Sequence, residues 1–266
     1  MTKPFKKKKP ANNSGIFIRI LFLLFLVYYT VMSLLAPVRK KDTLYSEYGF
    51  VQDENNSINE KIIKDSTYLS LLKQKSFLQA KLAMAETDSV YLTVSIPDSM
   101  VNLEISGLTV HSSHIAAYRM SRLLRKGNEY IMTSMLSEPL TIRKSYSTIP
   151  REPIMKKMAP RDTSEYRPDI IPDTAEQKPV FFILEFDKGL RLLIYQDERG
   201  LYPGDRFVCF SFVLWQRIRM IFEDLKKVFL FKVPEYQPFI KIRIPASDAR
   251  IIYRALPLQG QTGLYI

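Results

Sequence analysis

Gly15 to Pro37, GIFIRILFLLFLVYYTVMSLLAP, contains a single charge, Arg19. A helix of about twenty apolar residues crosses a hydrocarbon core of about 30 Å, so this run predicts a membrane span and ties the rest of the chain to a bilayer. Arg19 lies near its start, where a long aliphatic stem can lift the charge to the headgroups. A cleavable signal peptide has a shorter apolar run and a small-x-small site behind it; this run is long, and SLLAPV is a poor cleavage site. Five lysines precede the span, while Arg39, Lys40 and Lys41 follow it with Asp42 and Glu47 close behind. The positive-inside rule then predicts a cytoplasmic N-terminus and a body on the other side of the membrane.

The same stretch accounts for the charge of the chain. Of the formal +12, nine charges sit in residues 1–41, which contain no acid, so the rest carries a net of only three. A nearly balanced body argues against counterion-driven nucleic-acid binding. Cys209 is the only cysteine, so no intramolecular disulfide can form.

Four segments follow from the pattern: a basic cytoplasmic tail (1–14), the span (15–37), a connector and stalk helix (38–87), and a body (88–266). The connector is read at residues 43–55. Ser57 to Glu86 lacks Pro and Gly and is rich in helix formers, with a broken apolar stripe at Ile58, Ile62, Leu69 and Leu72. Lys75, Ser76 and Lys81 interrupt every heptad register, which favours a stalk helix packed on the body over a coiled coil. From Asp88 the period changes to two. VYLTVSI (90–96) and VNLEISGLTVHSSHI (101–115) alternate, the second around a Ser-Gly turn, and Asp187–Gly189 punctuates the clearest hairpin. Further strands are expected at PLTIRKSYSTI and PFIKIRI. The Pro-rich, charged stretch 150–173 reads as an exposed loop or arm.

Residues 206–233 predict a helix. Leu214, Ile218, Ile221 and Leu225 share one side, and Arg217, Arg219, Lys226 and Lys227 lie on others. It is too polar for a second span. The reading preferred over a membrane-surface helix is one that covers a sheet face, with Trp215 in the core.

The order of these parts resembles the catalytic domain of the L,D-transpeptidase (YkuD-like) family. Tyr91 to Ser121 is similar to the family's opening strands, Glu138 to Ile154 sits where it has a strand and Pro-containing loop, and the closing IRI (242–244), DARIIY (248–253) and GLYI (263–266) resemble the end of its active-site segment. The resemblance implies a mainly β sandwich or barrel with short helices from residue 88 onward, with an atypical insertion near 196–234. It also implies peptidoglycan crosslinking through a cysteine acyl-enzyme, with no cofactor.

The family's Ser-His-Gly-Cys motif, however, falls on Pro238, Phe239, Ile240 and Lys241. A thiolate nucleophile needs a sulfur and a group to take its proton, and these positions supply neither. What remains of the cleft would be Lys241, Arg243 and Tyr253. In a strand Lys241 is expected to face solvent, and Arg243 to pair with an acid such as Asp248. Cys209, in an apolar run, reads as a buried small hydrophobe. His111 and His114 have opposite parity and make no metal pair. Ser247 or Asp248 is expected to cap a helix whose apolar face is Ala249, Ile252, Tyr253 and Leu256.

The expected function is a membrane-anchored, non-catalytic L,D-transpeptidase-like domain that binds or scaffolds in a bacterial envelope. Its body would face the periplasm, with the bilayer and either peptidoglycan or an envelope protein as partners. Two alternatives stand beside it: an active L,D-transpeptidase or carboxypeptidase with a non-standard site, and a structural subunit of an envelope membrane complex.

Overall fold

The computed structural model describes residues 13–49, 65–151, 179–198 and 203–266. Most of the predicted 150–173 arm and the start of the predicted stalk helix lie outside them. Nine strands form one sheet in the order β3-β2-β1-β9-β5-β6-β7-β8-β4. They are β1 (Val90–Ser95), β2 (Met100–Ile105), β3 (Leu108–His114), β4 (Ala117–Met120), β5 (Leu140–Ser147), β6 (Phe181–Phe186), β7 (Arg191–Gln196), β8 (Phe239–Ile244) and β9 (Gln261–Tyr265). Among the described residues six helices accompany them: α1 (Asn13–Tyr48), α2 (Ser66–Ala85), α3 (Arg122–Lys126), α4 (Glu129–Leu136), α5 (Pro203–Phe229) and α6 (Ala246–Ala255). The class is mixed α/β, with a large sheet at its centre.

The outermost strands, β3 and β4, are consecutive in the chain and separated only by Ile115 and Ala116. In a flat sheet of nine strands they would lie nearly 40 Å apart, whereas so short a link spans only about 10 Å. The sheet must therefore curl until its two edges approach each other. The link is itself bonded to both sides, Ile115 N–H donating to Ser99 O (2.8 Å) and Ala116 N–H to Arg243 O of β8 (2.9 Å). The corner lies at β5, whose first residues pair with β9 and whose remainder pairs with β6, with a bulge between Ile142 and Lys144.

Two turns set the strand registers. Ser106 and Gly107 both adopt positive φ (46° and 82°), the type I′ geometry whose twist matches the flanking strands β2 and β3. Asp187–Gly189 joins β6 to β7, and Gly189 takes the left-handed conformation (φ 73°) that a residue with a Cβ resists. Inside the curl, Leu92, Val94, Phe182, Leu184, Leu192, Ile194, Ile240 and Ile242 are fully buried, and Ala249, Ile252 and Leu256 of α6 join the same core.

α2 packs against α4 and β9. Ser76 Oγ donates to Thr133 O (2.8 Å), and Phe77 stacks on Tyr265 with ring centroids 5.3 Å apart. Gly263 lets the helix approach the sheet, because a Cβ there would stand 2.7 Å from Met84 Cε. The buried Glu104 of β2 accepts bonds from Thr93 Oγ1 (2.9 Å) and from Lys81 Nζ of α2 (3.0 Å). Burying a carboxylate is costly unless it is bonded and paired, so this contact fixes the helix register on the sheet.

α1 is long and apolar enough to cross a membrane over Phe17–Tyr48. The helix outlasts the apolar run, continuing past Pro37 to Tyr48 where the sequence suggested a connector. Its first described turns, residues 17–24, are exposed all round. From Phe25 onward a less exposed stripe appears at Phe25, Tyr28, Met32, Ala36, Lys40, Leu44 and Tyr48. Steps of three and four residues keep these positions on one helix face, turned toward the body. Lys40 Nζ donates to Lys188 O in the β6–β7 turn (3.3 Å), and Lys188 Nζ donates onward to Met135 O of α4 (2.7 Å). Docking of this face keeps the helix going through Pro37, which forgoes one backbone bond.

Candidate functional site

β8 sorts its residues by parity. Ile240, Ile242 and Ile244 point into the core and are fully buried, while Phe239, Lys241 and Arg243 face outward. On that outer face β4 places Arg119 directly opposite Lys241, and β7 places Leu193 and Tyr195 opposite Lys241 and Arg243. Lys241 does not simply extend into solvent as expected: it is half-buried, its Nζ 4.0 Å from the centroid of the Tyr195 ring. Burial, reinforced by Arg243, Arg119 and Arg217, lowers its pKa below the ordinary lysine value. Burial likewise raises that of Tyr195.

This face continues into a cleft of about 700 Å³. Pro37, Val38, Lys41 and Tyr45 of α1 form one side of it. Arg119, Ser121, Arg122, Arg125 and Lys126, from β4 and α3, form the other, with Phe239 and Tyr236 between. None of the residues lining the cleft is acidic. Guanidinium and ammonium groups donate hydrogen bonds and accept none, so the surface is complementary to carboxylates and phosphates. The cleft also begins where the apolar run of α1 ends.

Of the residues singled out from sequence, Lys241 and Arg243 come together on this outer face, and Phe239 lies in the adjoining cleft. Tyr253 does not join them. It is buried on the core side, its ring 5.1 Å from that of Phe182, with the Arg151 guanidinium 4.9 Å from its centroid. Asp248 is not the partner of Arg243. Ser113 Oγ donates to its Oδ2 (2.7 Å), and His111 Nε2 lies 3.3 Å from its Oδ1. The carboxylate stands between serine and histidine here, whereas a nucleophilic triad needs the histidine in the middle. Nor does Ser247 or Asp248 cap α6. Pro245 holds the N-cap position, and Glu198 Oε2 accepts the Ala246 N–H (2.8 Å) in place of a local cap.

Cys209 is half-buried on α5 rather than enclosed in the core, close enough to Tyr195 to raise its pKa. Among the described residues no three His, Cys, Asp or Glu side chains are placed to hold a metal ion.

The basic cleft itself was not anticipated. Its signal in the sequence is YRMSRLLRK (118–126), four bases without an acid. The balanced charge of the body concealed it, because the acids lie elsewhere. Comparison with known protein families, curated proteins and solved structures finds no match to this chain.

Proposed function

We propose that this chain is a single-pass, membrane-anchored binding module of a bacterial cell envelope: a degenerate L,D-transpeptidase-like domain, without catalysis, facing the periplasm. The observation that carries this reading is Lys241. It stands where the family would place its nucleophilic sulfur, on an outward face shared with Arg119 and Arg243. Such a group of donors holds an anion and has no thiolate to acylate. The order β8–α6–β9, from Phe239 to Tyr265, supports the family resemblance, since a strand, a short helix and a closing strand are what the resemblance implies. The bare N-terminal part of α1, with its docked C-terminal part, supports the anchor.

The ligand chemistry that fits is a carboxylate-bearing peptide, as in the stem peptides of peptidoglycan. The test is equilibrium binding of peptidoglycan fragments to the full chain in lipid nanodiscs, with products followed in the same incubation. The reading expects fragments with free carboxylates to bind better than amidated ones, with no crosslinking or trimming. Turnover that disappears in Cys209→Ser would support an enzyme with a non-standard site instead.

A structural role in a larger membrane assembly is the second reading, favoured by Leu71, Leu78 and Leu82, which lie exposed on α2. A stoichiometric partner in detergent extracts would support it.

A further inference from the structure

The α5 helix is mounted with its apolar side away from the protein. Phe207, Phe210, Leu214, Ile218 and Ile221 share one face and are all exposed. The opposite face, carrying Cys209, Gln216, Met220 and Lys227, is the one turned to the body, and Gln216 is buried there. Trp215, which sequence reading placed in the core, is 56% exposed at the edge of the apolar face. A helix covering a sheet would be oriented the other way round.

Its position explains the inversion. The C-terminal third of α5 runs antiparallel to the apolar part of α1. Phe229 meets Phe25 with ring centroids 5.0 Å apart, while Met220 and Asp224 share a pocket with Ser33 and Ala36. α5 thus docks by its C-terminal end on the apolar part of α1, and its exposed apolar face lies further back along the same helix. The charges along this stretch are largely matched, Arg219 Nε to Glu223 (3.3 Å) and Lys227 Nζ to Glu235 (3.4 Å). Arg217 and Lys226 are exposed off the apolar face, where long stems reach headgroups.

We propose that the apolar face of α5 is seated in the bilayer leaflet on the body's side of the membrane, as a second membrane element beside the span. The occupant is lipid, because this face belongs to the same helix whose end, at Phe229, packs on Phe25 within the apolar part of α1. Trp, Phe and Leu on one side with bases on the others is the composition of helices that bury an apolar face beneath the headgroups, although α5 runs along the span rather than flat on the surface. One consequence is orientation: with α1 and α5 both engaged, the domain cannot swing, and the basic cleft at the end of the apolar run is held at the headgroups.

This inference rests on α1 spanning the membrane, and the experiment separates the two. Trp215 is the only tryptophan, so the fluorescence of the full chain reports on this helix alone. The chain is reconstituted into phosphatidylcholine vesicles, with or without lipid brominated high on its acyl chains, and washed with alkaline carbonate. Seating of α5 gives blue-shifted emission, strong quenching by bromolipid and little by aqueous iodide. In Ile218→Asp the emission returns toward that of water-exposed tryptophan while the chain stays in the washed vesicles. Protein retained in the vesicles with Trp215 quenched by iodide and not by bromolipid overturns this inference alone. Protein released by carbonate overturns the anchor and this inference together.

Discussion

Arg119 of β4 and Lys241 of β8 lie directly opposite each other on the outer face of an antiparallel pair. Like charges in that relation destabilise a sheet by roughly 0.2–1 kcal/mol. Arg243 and Arg217 add to the repulsion felt by Lys241. A fold that keeps such a pair holds a concentrated cationic surface at a standing cost in stability.

Lys241→Met is therefore expected to stabilise the ligand-free chain slightly, by about 0.5 kcal/mol, and to weaken binding of carboxylate-bearing fragments about tenfold, the equivalent of one lost charge-assisted bond. Chemical unfolding in mild detergent and equilibrium binding in nanodiscs check the two signs separately. A variant that loses both stability and binding would mean that Lys241 is simply a packing residue.

The same residue gives a pH signature. Its pKa is lowered in the folded state, so between that value and the ordinary 10.5 the unfolded chain binds more protons than the folded one. Stability then rises with pH across this window, since the penalty of holding a charged Lys241 is relieved as the group deprotonates. The difference in unfolding free energy between the chain and Lys241→Met is expected to shrink on moving from neutral pH toward 10.5. A difference independent of pH would contradict the lowered pKa.

Glu104 and Lys81 form a pair of unequal burial, the carboxylate enclosed and the ammonium partly exposed. Lys81→Met leaves a buried charge without its partner and is expected to cost about 2–3 kcal/mol. Adding Glu104→Gln should recover a large part of that loss, because the uncompensated charge is gone. A double-mutant cycle by chemical unfolding measures the coupling. Additive losses would mean that the pair does not hold α2 to the sheet.

Gly263 is where α2 comes closest to the sheet, with Met84 Cε 2.7 Å from the position of a Cβ. Gly263→Ala is expected to cost about 1 kcal/mol, since the end of a methionine can move aside. Gly263→Val should cost more, with Phe77 and Thr93 already 3.7 and 3.8 Å from that first carbon. Thermal unfolding ranks the two, and equal stability would mean that the helix stands off the sheet.

The elements legible in the sequence were those whose local signal is also the structural determinant. Ser106–Gly107 and Gly189 mark their hairpins because the turns require positive φ. The face Ala249, Ile252, Tyr253 and Leu256 is buried as its spacing suggested. The short helices α3 and α4, five and eight residues long, complete too few turns for a period to be read. In β4 three of the four residues are exposed, so no alternation marks the strand.

For α5 the period revealed which residues share a side but not what that side meets. Apolar residues at helical spacing suit a buried and an outward-facing side equally, and Trp215 lies exposed rather than in the core. The basic cleft was hidden for a different reason: Lys41, Arg119 and Arg125 are brought together from α1, β4 and α3 only by the curl of the sheet and the docking of α1.

The anchor is tested most directly by treating bacterial spheroplasts that express the full chain with protease, after showing that the protein resists alkaline carbonate extraction. The account predicts that protease added outside removes the body and leaves a short protected fragment containing α1. Release by carbonate, or a body untouched until the membrane is broken, would contradict it.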